Sequence, residues 1–438
     1  MHQMSSEGPS AGASPTGASG ESKHQLYPER LSFETYARLT AGLWTNIQPG
    51  QKVAVRCDKI HAPLAEAIRE AALKRGAADV QLLLVDPEAD RDEIASRSID
   101  DLRTAPEDLS RISADLAESR GAYIRIVGDS NPRGFEDLDP KKVEAFESGR
   151  AKAFLALSDV IMKGLTNRCV IAAPTPGWAK MVFPELEPQV AFAKLDHAIR
   201  QICYLDAEDP EGAFTAQADR LEEQRDWLQG LNLKALRFTG PGTDLTVGLS
   251  ERALWLGGRK RTPSGIVFYA NVPIGEIFTT PDWRYVEGIV RMALPTIIGS
   301  KLVDGVELAY QGGELTGQRA RVGAEMLKGL LSRDIFAGRL GEVALVSMDS
   351  PLAQLGIVFN EILMDEKARC HIATGRPYLS NIIGGATLSE GEKEQLGVNN
   401  TKCLVHHDFM ISDENTMAVG ITREGTEVPI LERGLLVR

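Results

Sequence analysis

From Leu31 to about Pro176 the chain switches repeatedly between two hydrophobic periods, and this alternation limits the fold more tightly than any other feature. FETYARLTAGLWT carries apolar residues at helical spacing, and KVAVRC, after the Pro49-Gly50 turn, is an apolar run of strand length. HAPLAEAIREAALKRG is helical again, with Gly76 as its stop, and DVQLLLV is a second strand. EDLSRISADLAESRG, AYIRIVG, KKVEAFESGRAKAFLALSD and CVIAAPTP continue the series as helix, strand, helix and strand. Strands and helices at this spacing predict βαβ units on a mainly parallel sheet.

The texture changes after the charged run PEGAFTAQADRLEEQRDWLQG. LRFTGPGTDLTVGL predicts two strands joined at Gly240-Pro241-Gly242, and EGIVRMALP, LVDGVELAY and GEVALVSM are further strands. A boundary near residue 232 therefore gives an α/β N-terminal domain, 24–232, and a β-rich α+β C-terminal domain, 233–438. Residues 1–23 are rich in Ser, Gly, Ala and Pro, bury too little apolar surface to offset ordering entropy, and read as a disordered tail.

Composition then excludes whole classes of function. With 49 Lys+Arg against 61 Asp+Glu the net charge is −12, which lacks the basic footprint of a nucleic-acid binder. No apolar run reaches the roughly 18 residues of a membrane span, and the start lacks a secretory pattern. The five scattered cysteines are no disulfide framework, so a reduced, cytoplasmic protein is expected. GPGT at 240–243 and Gly384-Gly385 are too short to cradle a phosphate, and neither G-x-S-x-G nor H-E-x-x-H occurs.

The sharpest local signal is LVHHDFMI. As a strand it puts His406 and Asp408 on one face and His407 on the other, an imidazole and a carboxylate suited to Zn, Co or Mn. A polar strand end with a solvent-facing histidine pair fits the same string. Cys370-His371 and Cys403-x-x-His406 are poorly spaced for a structural zinc site. Glu276 in NVPIGEIFTTP, Glu342 in RLGEVALVSMDSP and Glu366 in LMDEKARCHIATGRPY each sit beside apolar runs, where a carboxylate is costly to bury unless paired or metal-bound. Taken alone, each acid reads as solvent-facing.

Together the segments resemble a family. NIQPGQKVAV, FTGPGTDLTVGL, NVPIGEIFTTP, VEGIV, RLGEVALV, the stretch from Asp349 to Tyr378 and HHDFMI are similar, in order, to the thermophilic-type aminopeptidases of peptidase family M29. The resemblance implies metal ligands at Glu276, Glu342, His371, His406 and Asp408, and matches Tyr378 and Glu366 to residues beside the metals. It also implies a two-domain subunit with the metal site in the C-terminal domain, and a dimer whose sites open into an internal cavity.

Five such ligands supply two divalent ions (Zn, Co or Mn) if one carboxylate bridges, and Glu342 is assigned the bridge. Two ions would activate a shared water. Glu366 is then the expected general base and Tyr378 the donor to the developing oxyanion, on peptide substrates with a free N-terminus. The alternative is a related ring-cleaving dioxygenase with one Fe(II) on His371, His406 and Asp408. Such a site would not need both Glu276 and Glu342, which favours the peptidase.

Overall fold

The computed structural model describes residues 30–299 and 301–438. The segment 1–23, read as a tail, lies outside the described residues. Four parallel strands, β1 (Lys52–Asp58), β2 (Asp79–Val85), β3 (Ala122–Val127) and β4 (Arg168–Ala172), lie side by side in the order β2-β1-β3-β4. Inner strand β1 buries Val53, Ala54, Val55 and Cys57, so both of its faces are covered, as its unbroken apolar run demands. Edge strand β2 leaves Leu84 exposed. The first crossover helix, Ala62–Lys74, buries Leu64, Ala65, Ile68 and Ala72 on one face. It stops before Gly76, whose φ of +89° suits glycine.

Three details differ from the sequence reading. LVDGVELAY, read as one strand, is two, Lys301–Val303 and Glu307–Gln311, in different sheets. The other two concern helices. The run 141–159, read as one helix, is two helices, Pro140–Ala153 and Leu155–Met162. At the break, the Phe154 ring packs on Tyr123 and beneath the Arg56 guanidinium. Helices Pro87–Ser96, Pro176–Val182 and Pro188–Ile202 carried no separate expectation. Their signal is local: each has proline at its first position, and Asp86 and Thr175 cap the first two.

After helix Pro210–Gly230 the strands are antiparallel wherever they pair within a sheet. Leu233–Gly240 and Thr243–Leu249 form the hairpin read from the sequence and sit at the centre of an eight-stranded sheet. A second sheet contains β5 (Ile277–Thr279), β6 (Leu340–Leu345), β7 (His371–Gly375) and β8 (His406–Met410), in the order β8-β7-β6-β5. One of its faces is apolar: Ile277, Val343, Leu345, Ile372 and Phe409 share a core with Leu236, Val247 and Val286 of the large sheet. Period-2 alternation therefore turns the opposite face away from that core.

Chain order and packing do not divide in the same place. The core around the parallel sheet also takes in Leu352, Phe359, Leu363, Met364 and Ala368. That recruitment fixes the short helix Ile362–Asp365 and the two residues after it, Glu366 and Lys367.

Candidate metal centre

Register across the second sheet assembles the site. Glu342 of β6 lies opposite Ala373 of β7, which lies opposite Asp408 of β8. One step along, His371 opposes Ala344, and Gly375 opposes His406. Cross-strand partners and i,i+2 neighbours share a face, so Glu342, His371, His406 and Asp408 all project from the side opposite the core. Ala373, the small residue between Glu342 and Asp408, leaves the middle of that face open. Glu276 joins at the edge, since Ile277 points into the core and its neighbours point away.

The seven residues singled out in the sequence converge here. His371 Nε2 lies 3.4 Å from Glu276 Oε2, 3.7 Å from Glu342 Oε1 and 3.9 Å from Asp408 Oδ1. His406 Nε2 lies 3.4 Å from Glu342 Oε2 and 3.8 Å from Asp408 Oδ1. Glu342 thus turns one oxygen to each histidine. Glu366 is within ligand range of His371 and Asp408, and the Tyr378 ring stands edge-on to His406 at 5.0 Å. His407 points elsewhere, as alternation requires, and pairs with Thr296 Oγ1 at 3.0 Å.

Both histidines are held in the tautomer a cation needs. His371 Nδ1 lies 3.1 Å from the Arg369 carbonyl and His406 Nδ1 2.7 Å from that of Arg376. With Nδ1–H donating to a carbonyl, Nε2 is the nitrogen of each ring that offers a cation its lone pair once its own proton leaves. Two buried acceptors on this face, His371 Nε2 and Glu276 Oε2, have no hydrogen-bond partner. Buried polar atoms facing one another across 3.4 Å, without a hydrogen bond between them, fit a cation that displaces the histidine's proton. The cysteines play no part: all five are buried and free, with Cys370 bonded to the Val346 backbone and Cys403 to Asp334.

The family model of the thermophilic metalloproteases (M29) matches residues 30–435. The chain belongs to the M29 family. It is 35% identical to aminopeptidase T of Thermus thermophilus over 92% of its own length and 98% of that protein's. Identity to aminopeptidase 2 of Geobacillus stearothermophilus is also 35%, over 92% and 97% of the two chains. The solved structure of wild-type AmpT from Thermus thermophilus superposes with a TM-score of 0.84 at 34% identity, covering 93% of this chain and 99% of that one. M29 membership makes the protein a metal-dependent peptidase, a hydrolase of peptide bonds.

Sequence reasoning missed two lysines of this M29 site. Lys367, 1% exposed, lies 2.6 Å from Glu276 Oε1 and also pairs with Glu366. It engages Glu276 Oε1 and leaves Oε2 to face His371. In the string DEKAR it reads as one charge of a solvated run, and only the fold buries it. Lys260 stands over the rings of Phe278 and Tyr378, at 4.8 and 5.4 Å from their centroids. Burial, then the nearby Arg168, pushes its ammonium down to about 7.

The electrostatics follow from four carboxylates sharing one buried face. Burial opposes charge on His371, but Glu342 beside it and the charges of Glu276 and Asp408 outweigh burial and raise it to about 10. His406 is raised to about 9 against the same burial, by Asp408 and Glu342. Glu342 is held well below the usual carboxylate range by the two histidines, despite burial. Burial raises Glu366 and Asp408, and it keeps Tyr378 a phenol.

Histidine protonation gives the protein without cations a stability increment that is complete below about pH 6.5 and lost as pH rises through about 9–10. Cation binding reverses that preference, because it requires neutral rings. At pH 7.5, loading the chelated protein is expected to release at least about two protons, one per histidine, with affinity falling about 100-fold per pH unit on acidification. Calorimetry in two buffers of different ionisation enthalpy measures the count. Release of no protons would remove both histidines from the ligand set.

Proposed function

We propose that this M29 protein is an aminopeptidase that removes N-terminal residues from peptides with a free amino group, using two divalent cations (Zn, Co or Mn) held by residues of 233–438. The observation that carries the number two is Glu342, whose oxygens face different histidines, as a bridging carboxylate's would. Charge supports it. Glu276, Glu342, Glu366 and Asp408 sum to −4, and Lys367 with a charged Lys260 returns +2, so one divalent cation leaves the cluster neutral and two bring it to +2. A net positive site is the one that favours a developing oxyanion.

When bound, the cations supply an acidified water and polarise the scissile carbonyl. The chain's own groups do the rest. His371 and His406 offer Nε2 because backbone carbonyls hold their Nδ1–H. Glu366 takes the water's proton and hands it to the leaving amine, a task suited to a carboxylate whose affinity for protons burial has raised. Its place beside His371 and Asp408 also supports a second reading, in which Glu366 is itself a ligand. Tyr378, a phenol throughout the ordinary pH range, donates to the oxyanion. Carboxylates on the same face receive the substrate's ammonium, which restricts cleavage to the first residue.

A reduced cytoplasmic setting fits five free, buried cysteines, and among the described residues no helix is long and apolar enough to cross a membrane. The homodimer implied by the family resemblance belongs to the same reading. The dioxygenase alternative draws no support from the relatives named above, each called an aminopeptidase.

Leucine p-nitroanilide and Leu-Gly-Gly are the test substrates. Both are expected to be hydrolysed and their N-acetyl forms to be inert, with chelation stopping the reaction and Zn, Co or Mn restoring it without oxygen. Cleavage of the acetylated forms, or a need for Fe(II) and O₂, would overturn the assignment.

A further inference from the structure

Lys260 has no ion-pair partner of its own among the described residues, although the charges of Glu276 and Glu342 reach it. It is half-buried, yet among the described residues no carboxylate ion-pairs with it and no acceptor takes its protons; its neighbours are aromatic faces. The rings beneath it belong to the metal centre. Phe278 projects from the same face of β5 as Glu276, and Tyr378 is edge-on to His406. Lys260 therefore hangs over the ligand-bearing face, and it lines a cavity of about 30 Å³ together with Glu276, Phe278, Asn271 and Lys367. A groove of about 1290 Å³ beside helix Ala62–Lys74 contains none of the metal-centre residues.

The contrast with Lys367 gives the argument its direction. Lys367 is saturated by Glu276 and Glu366, so its charge is spent within the protein. Arg168, the other cation near Lys260, is likewise occupied, by the Ala270 carbonyl and Asn271 Oδ1 at 3.2 Å each. Aromatic faces hold an ammonium in place but leave its N–H donors free. A half-buried ammonium with free donors beside a reaction centre is suited to an incoming anionic oxygen.

We propose that Lys260 is the anion-receiving residue of this site, donating to a negatively charged substrate oxygen. Two oxygens have that chemistry: the C-terminal carboxylate of a dipeptide, and the oxyanion of the tetrahedral adduct. The inference rests on the aminopeptidase reading.

The test compares metal-loaded wild type, Lys260→Met, Lys260→Gln and Lys260→Arg on Leu-Gly and on Leu-Gly amide, which lacks the carboxylate. The two neutral variants are paired because glutamine tolerates a half-buried polar setting if methionine does not fold there; thermal melts check both. A charge-assisted bond predicts a loss of about tenfold or more in kcat/KM for the neutral variants, largely restored by arginine. A loss confined to Leu-Gly identifies the carboxylate, and an equal loss on both substrates identifies the oxyanion. Folded neutral variants within twofold of wild type on both substrates would overturn the proposal. If wild type releases leucine from neither, the aminopeptidase reading itself has failed.

Discussion

Glu342→Gln is expected to leave a folded protein whose turnover is at least about 10³-fold slower, the largest single effect at this centre. Glutamine matches glutamate in size and fits the same place in β6, whose other residues are all buried. What changes is charge and ligand capacity. The carboxylate turns an oxygen to each histidine, whereas an amide offers one acceptor and no charge. With Glu342 neutral, each histidine loses one of the partners that raise its proton affinity, while Asp408, and for His371 also Glu276, still face it in the chelated fold. The second readout is thermal. A ligand at about 1,000 times its Kd adds about 4 kcal/mol to stability, and that gain in Tm on adding Zn, Co or Mn should vanish in the variant. A variant with near-normal kcat and a normal metal-dependent rise in Tm would remove Glu342 from the centre.

How much of this could be read in advance depends on the range of the information. β2 and the Leu233–Gly240 hairpin lie where the sequence puts them, because alternation, an apolar run and a Gly-Pro-Gly turn are written within a dozen residues. The His406/Asp408 face is legible for the same reason: period 2 within one short strand decides it. Glu276 and Glu342 are different. Their facing depends on the register of three strands separated by long intervals, and a one-residue slip would send Glu342 into the core. No local pattern encodes that register, so those two were reachable only through family resemblance. Lys260 and Lys367 escaped both routes. One sits on a two-residue strand and the other beside a four-residue helix, elements too short to carry a period. The burial of Lys367 is a product of assembly, when the segment carrying Leu363, Met364 and Ala368 docks on the core of the parallel sheet.

Lys367→Met separates two roles that a buried lysine among ligands can have. The variant strands Glu276 Oε1 and Glu366 without their counter-charge, and breaking a buried pair this way costs about 3–5 kcal/mol. Burial already raises the proton affinity of Glu366 above its unfolded value, so the native state binds the extra proton and the penalty grows as pH rises above about 4.3. Chelated Lys367→Met should therefore melt below wild type, and because wild-type Glu366 carries the same penalty up to about pH 8, the gap should widen as pH rises beyond about 8. Cation affinity poses the sharper question. If Lys367 chiefly orients Glu276 and Glu366, its loss weakens cation binding about 10–100-fold, or roughly 1.4–2.7 kcal/mol. Its charge pulls the other way: +1 and +2 charges about 6 Å apart, on the two oxygens of one carboxylate, repel by about 5–6 kcal/mol at an effective dielectric of about 20. The Coulomb contribution is the larger, so the variant is expected to bind Zn or Mn more tightly than wild type in a chelator competition while being less stable without them. Weaker binding would mean that orientation outweighs charge, and it would recast Lys367 as a residue that aims Glu276 Oε2 at its cation.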